Sequence, residues 1–267
     1  METVKTVHLT KEKETLFITL QRRANDCQAK HSLLHDTRAL EIVNSVDYDF
    51  SKLERAKQNH TVIRAKQVDE WTRAFIAAHP NAVVVYLGCG LDTRVSRINP
   101  PASVDWYDVD YPEVMEVRKN FYADSAHYKM LAFSITDAAW LAQTPNDRPT
   151  LIMAEGVLEY LTAEDAKTLL LRLTERFAQG QMVFDVMSAR AIKMSKKYSA
   201  DKWGVKWGID DTSEIEKWNP KLKKLNEISL FKSEYIKELS FRQRAVYKLM
   251  SAIPIWRNMM RLLRYAF

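Results

Sequence analysis

Glycine and proline are scarce in this 267-residue chain, at 6 and 8, which excludes collagen-like and low-complexity architectures. Two cysteines, Cys27 and Cys89, are too few for a disulfide framework, so a reducing compartment is expected. No apolar run reaches the roughly 18 residues of a membrane span. The stretch METVKTVHLTKEKETL carries acids and has no apolar signal-peptide core. The chain is therefore expected to be soluble and cytoplasmic, with no stable membrane insertion. What is present is ordinary globular composition, 46% hydrophobic and 28% charged, enough to bury a sizeable core.

Acidic residues are missing from one place in particular. Lys and Arg number 40 against 34 Asp and Glu, yet no acid follows Glu238, while Arg242, Arg244, Lys248, Arg257, Arg261 and Arg264 do. The whole positive excess lies there. Val246, Met250, Ile253, Trp256, Met260 and Leu263 recur at spacings of three and four, which predicts a C-terminal helix with a break at Pro254. Such a stripe fits a helix packed on the domain with its arginines in water; the sharper alternative is a basic amphipathic helix for an anionic membrane or a nucleic acid.

Residues 1–78 read as a helical N-terminal cap. A possible helix cap at Thr10 precedes Leu16, Phe17 and Leu20, and VIRAKQVDEWTRAFIAA (62–78) closes at His79-Pro80. The pattern then changes. AVVVYL (82–87) is continuous and β-branched, as a strand buried on both faces should be. VDWYDV (104–109), HYKMLAF (127–133), PTLIMAE (149–155) and QMVFDVM (181–187) are further candidates, with helix-like stretches at 112–122, 137–143 and 163–179. This alternation predicts an α/β fold with a doubly wound, largely parallel sheet. The expectation is one domain over 1–267, with a cofactor-binding core at 79–190. A lid-like insertion with the last strands occupies 191–240, and the basic helix 241–267.

The first strand runs into Leu87-Gly88-Cys89-Gly90-Leu91-Asp92-Thr93-Arg94. Glycine lets a strand-to-helix turn approach a ligand with no Cβ in the way. The second strand ends in Asp108-Val109-Asp110, and Asp110 stands 20 residues past Gly90, where a doubly wound fold sets a carboxylate against ribose hydroxyls. The dinucleotide pattern is incomplete, because Thr93 stands where its third glycine belongs, and no GxxxxGK[ST] loop exists. A nucleoside without phosphate fits better. S-adenosylmethionine is such a ligand, and Arg64, on the helix before the first strand, is placed to grip its carboxylate. Ala154-Glu155-Gly156-Val157-Leu158-Glu159-Tyr160-Leu161 follows the fourth strand, also at the carboxyl edge where open α/β sheets bind ligands.

LGCGLDTR (87–94), DVDYPEV (108–114), AEGVLEYL (154–161) and KWGIDD (206–211) resemble the leucine carboxyl methyltransferase family, and its bacterial branch of polyketide-type O-methyltransferases most of all. RRANDCQAKHSLLHDTRALEIVNSVDYDFSKL (22–53) and VIRAKQVD (62–69) extend the likeness. The resemblance implies a class I methyltransferase sheet of seven strands with the last antiparallel, S-adenosylmethionine as donor and S-adenosylhomocysteine as product. By position it gives Arg64 the methionine carboxylate, Gly88 and Gly90 the turn beneath the methionine part, Asp110 the ribose and Glu155 the surroundings of the amino group. An arginine around Arg23 is a further carboxylate partner. The family places an acid and a leucine near adenine after the third strand; Ser134-Ile135 stand there in this chain, with Asp137 as a possible substitute.

A sulfonium is already a good leaving group, so methyl transfer requires in-line placement more than acid–base help. A carboxylate acceptor needs no base; a hydroxyl benefits from one, and Tyr160, Glu159 and His127 are the candidates. His31, His35 and Asp36 make no convincing metal set. Trp203, Trp207, Trp218 and Tyr198 line either an acceptor pocket or a satellite core. The expected activity is O-methylation of a small-molecule acceptor, with no nucleic-acid partner. A protein C-terminal carboxyl methyltransferase is one alternative, and a donor-binding protein with little catalysis is another. A nicotinamide oxidoreductase is disfavoured by Thr93.

Overall fold

Strand β1 (Val83–Leu87) lies at the middle of the molecule, every residue buried, as its unbroken β-branched run requires of a strand covered on both faces. The computed structural model describes residues 11–50, 60–196 and 204–267. The strands β2 (Asp105–Asp110), β3 (Tyr128–Ala132), β4 (Thr150–Ala154), β5 (Gly180–Met187), β6 (Lys223–Ser229) and β7 (Met260–Ala266) join β1 in one sheet, in the order β3-β2-β1-β4-β5-β7-β6. β7 runs antiparallel to both neighbours, and the pairs among β1 to β5 are parallel. The fold is thus the seven-stranded α/β sheet expected, with the last strand reversed.

Helices α1 (Lys11–Cys27), α2 (Thr37–Ser45) and α3 (His60–Ala78) precede the sheet. Leu16, Phe17 and Leu20 of α1 are buried in a cluster with Ile42 of α2 and Val114 and Val117 of α5 (Pro112–Arg118). The short α4 (Arg94–Ile98) follows the glycine turn, and α6 (Ala163–Arg176) packs Leu169, Leu170 and Leu173 on the opposite face of the sheet. Thr162 caps α6 by accepting the Asp165 N–H at 3.1 Å.

The register positions the site. Leu87 lies opposite Val109 on one side and Ala154 on the other, and Ala154 lies opposite Phe184. The next residues, Gly88, Asp110, Glu155 and Asp185, therefore form one row across the carboxyl edge of four parallel strands.

The chain's end departs from expectation. The helix predicted over 241–267 is α9 (Phe241–Ala252) and α10 (Pro254–Arg257), broken at Pro254 as read, but Met260–Ala266 is the inner strand β7. Leu262, Leu263 and Tyr265 are fully buried because β5 and β6 flank the strand and the sheet is covered on both faces. A short apolar run fits helical spacing and a two-faced strand equally well, and here the open edge of β5 decides. Val246, Ile253 and Trp256 remain exposed. The insertion carries α7 (Ala189–Lys196) and α8 (Ser213–Trp218). Trp207 and Trp218 lie 5.7 Å apart on the core; Trp203 and Tyr198 fall outside the described residues.

Candidate active site at the carboxyl edge of the sheet

Gly88 and Gly90 both have left-handed backbone, φ +62° and +52°, which glycine adopts without penalty. A Cβ on Gly88 would overlap Cγ2 of Val157, the residue after Glu155-Gly156. One on Gly90 would touch Leu16 of α1, which closes over the turn. The turn thus needs glycine for its dihedrals and for the close passage of two loops.

Asp110 faces this turn. Its Oδ2 accepts the Gly90 N–H and its Oδ1 the Tyr111 N–H, each at 2.7 Å. Each oxygen keeps a lone pair for a further donor. Burial pushes the carboxyl up to about 6 against the pull of those two N–H groups. Arg118 of α5 braces the same turn from behind. It donates to the carbonyls of Gly90 (3.0 Å) and Asp92 (2.7 Å) and to the Asp108 carboxylate. Asp108 also accepts from Trp106 and Tyr128. Arg118 carries no spacing signal; only the fold brings it to the turn.

Arg64, expected to await a carboxylate, is partly committed within the protein. Its Nε donates to Glu155 at 3.0 Å and its Nη1 to Asp185 at 2.7 Å. Nη2 stands beside Gly156, where a Cβ would come within 2.9 Å of it. Glu155 takes Arg94 on its other oxygen at 2.5 Å. Arg94 continues to Asp69 at 2.7 Å, and Arg97 ties Asp69, Asp92 and Asp36 together at 2.8 Å each. The acid and arginine of LDTR are thus internal struts that lock α3, α4 and β4. Breaking a buried pair of this kind leaves an uncompensated charge.

Arg23 belongs to this network too, 3.7 Å from Asp92 and 3.9 Å from Asp36. Its Nε is buried without a hydrogen-bond partner. Its neighbour Arg22 donates to Thr61 at 2.9 Å, lies 3.3 Å from the His60 ring, and feels the charge of Arg64. Among the described residues Arg22 has no acidic partner. The same charges and burial hold His60 down to about 3, hence neutral.

Glu159 lies four residues beyond Glu155, in the 3-10 turn Leu158–Tyr160. Its Oε2 is buried with no hydrogen-bond partner. Burial, then the neighbouring Asp185, push its carboxyl up to about 8. The insertion clasps its backbone: the N–H groups of Lys206 (2.7 Å) and Trp207 (3.2 Å) donate to the Glu159 carbonyl. The other candidate bases fare worse. His127 precedes β3, at the opposite edge of the sheet, exposed and bonded to Asp105 at 2.8 Å. Tyr160 is pushed up to about 12.

Ser134 and Ile135 follow β3, two residues beyond the strand position that pairs with Asp110. Ser134 Oγ lies 2.9 Å from Thr136 Oγ1, and the buried Ile135 offers its carbonyl to Trp140. Asp137 is exposed and caps the following 3-10 turn through the Ala139 N–H.

Residues 17–174 match the family described as leucine carboxyl methyltransferase. The tetracenomycin polyketide synthesis O-methyltransferase TcmP of Streptomyces glaucescens is 36% identical over 98% of this chain and 99% of its own. The S-adenosyl-L-methionine-dependent methyltransferase dpfgK of Gibberella zeae is 29% identical over 81% of this chain and 82% of its own. Among solved structures, the N-methyltransferase NodS of Bradyrhizobium japonicum, in complex with S-adenosyl-L-homocysteine, superposes with a TM-score of 0.53. It covers 96% of this chain and 98% of its own at 12% identity. That likeness speaks for the class I methyltransferase fold alone. With the family match spanning more than half of the chain and a relative aligned almost end to end, the protein belongs to the leucine carboxyl methyltransferase family.

Proposed function

We propose that the protein transfers a methyl group from S-adenosylmethionine to an oxygen of a small-molecule acceptor. The observation that carries this reading is the Asp110 carboxylate, fixed by the Gly90 and Tyr111 N–H groups with a lone pair left on each oxygen. That arrangement suits a vicinal diol, and the turn beside it lacks a phosphate cradle. The donor's carboxylate also fits. Among the described residues Arg22 lies near Arg64 without an acidic partner of its own.

When bound, the donor supplies an activated methyl on a sulfonium. Asp110 holds the ribose hydroxyls, and Gly88 and Gly90 let the backbone approach. Arg64, through Nη2, and Arg22 hold the carboxylate; Glu155 faces the amino group while anchored by Arg64 and Arg94. Ser134 and Ile135 border the adenine, with a hydroxyl in place of a charge, so that contact contributes less than an acid would. Above about pH 8, where its carboxyl is ionised, Glu159 accepts the proton of a hydroxyl acceptor; a carboxylate acceptor leaves it idle. Relatedness to an O-methyltransferase of polyketide synthesis supports a small-molecule acceptor. Cys27 and Cys89, both free, support a cytoplasmic setting.

Calorimetric titration tests the reading. S-adenosylmethionine and S-adenosylhomocysteine should both bind and NAD should not. Asp110→Asn should weaken both by roughly 10- to 100-fold, the worth of a charge-assisted hydrogen bond. Absence of binding by both adenosyl ligands would overturn it.

A further inference from the structure

Helix α9 shows two faces. Tyr247 is buried with its ring 5.7 Å from Phe231, and Met250 packs on the same core cluster. A capping box of Ser240 and Gln243 starts the helix, so it is a formed element seated on the domain. The other face is apolar and in water. At a hundred degrees per residue, Phe241, Ala245, Leu249 and Ala252 line one strip that points away from Tyr247, and all four are exposed. Phe241 is 77% exposed and Leu249 69%. Val246, Ile253 and Trp256 of α10 widen the strip. Of eight exposed large hydrophobic side chains among the described residues, five fall between 241 and 256. Surface apolar residues scattered singly need no explanation, but a contiguous strip does.

Charge identifies what covers it. Arg244 and Lys248 flank the strip on one side and Arg242 on the other, with Arg257 beyond Pro254. None of the four forms an ion pair among the described residues, and no acid follows Glu238. A second copy of the chain laid face to face would set these cations against one another. A nucleic acid would satisfy the cations and leave Phe241, Leu249 and Trp256 in water. An acidic protein surface would need a complementary apolar groove as well.

We propose that α9 and α10 dock the protein, lying in plane, on an anionic lipid surface. The strip enters the boundary between headgroups and acyl chains, the arginines and lysine reach lipid phosphates, and Trp256 sits at headgroup level. No helix among the described residues is long and apolar enough to cross a membrane, so the attachment is peripheral and reversible. It is independent of the methyl-transfer reading, because none of these residues belongs to that site.

The test is co-sedimentation of the full-length protein with vesicles of phosphatidylcholine alone or mixed with phosphatidylglycerol. Binding should require phosphatidylglycerol and weaken with salt. Each of Arg244→Gln and Lys248→Gln should reduce partitioning by about fivefold, the worth of roughly one surface cation. Leu249→Glu should abolish it while thermal melting is unchanged, since the side chain is in water. Indifference to phosphatidylglycerol, or binding that survives Leu249→Glu, would overturn the proposal. So would a dimer in sedimentation velocity that Leu249→Glu dissociates, or duplex DNA binding lost with the same variant.

Discussion

Glu159 shows at the scale of one residue how a site departs from what a fold alone would choose. Its carboxyl is buried, one oxygen is unpartnered, and Asp185 and Glu155 stand near it. The fold raises its pKa from the ordinary 4.5 to about 8. The unfolded chain therefore releases this proton through a pH window in which the fold retains it. Stability from this group is full below about 4.5, is lost as pH rises through that window, and levels off above about 8. Each unit is worth about 1.4 kcal/mol, so the loss is of the order of a few kcal/mol. Asp110, raised to about 6, has the same sign. Glu159→Gln is neutral at every pH. Its melting temperature should match the wild type at about pH 5 and exceed it at about pH 8. Thermal melts across that range check it, and equal slopes for the two proteins would show that Glu159 is not held protonated. The same variant should lose activity on a hydroxyl acceptor and retain it on a carboxylate.

At the scale of elements, the turn between β1 and α4 is where sequence and structure agree most closely. Its glycines, its following Asp110 and the strands that set them in register were legible because each follows a local rule: a β-branched run, a glycine where φ is positive, an acid at a strand's end. Gly88→Ala should therefore be costly. It places a Cβ against Val157 at φ +62°, combining left-handed strain of about 1–2 kcal/mol with overpacking of about 1–3 kcal/mol. A fall in melting temperature together with loss of donor binding is expected from differential scanning fluorimetry with and without ligand. Arg118, Arg22 and the roles of Asp92 and Arg94 were not legible, for a physical reason. Buried ion pairs join residues far apart in the chain, such as Arg94 with Glu155 and Arg97 with Asp36, and no periodicity records them. Arg23, read as a further carboxylate partner, lies within ion-pair reach of Asp36 and Asp92, while its neighbour Arg22 has no acidic partner among the described residues.

For the whole molecule, the last residues decide how the sheet ends. The apolar positions of 246–263 look like one helical stripe, yet the chain turns after Arg257 and inserts Met260–Ala266 between β5 and β6. The basic segment therefore has two jobs. Its helices lie on the surface, whereas β7 supplies Leu262, Leu263 and Tyr265 to the core, and Arg261 bonds Glu227 and the Ile209 carbonyl. Ending the chain after Met259 should leave β5 with an open edge and strand β6 without its partner. Unpaired edges of this length template aggregation, and the lost burial of three large side chains at about 2 kcal/mol each is comparable to a domain's entire net stability. The shortened protein should be recovered in the insoluble fraction, or as a species that binds a hydrophobic dye and melts without cooperativity. Leu249→Glu, ten residues earlier, should melt like the wild type. If instead the truncated chain folds cooperatively and binds S-adenosylhomocysteine, β7 is dispensable and the sheet is held by its five parallel strands alone.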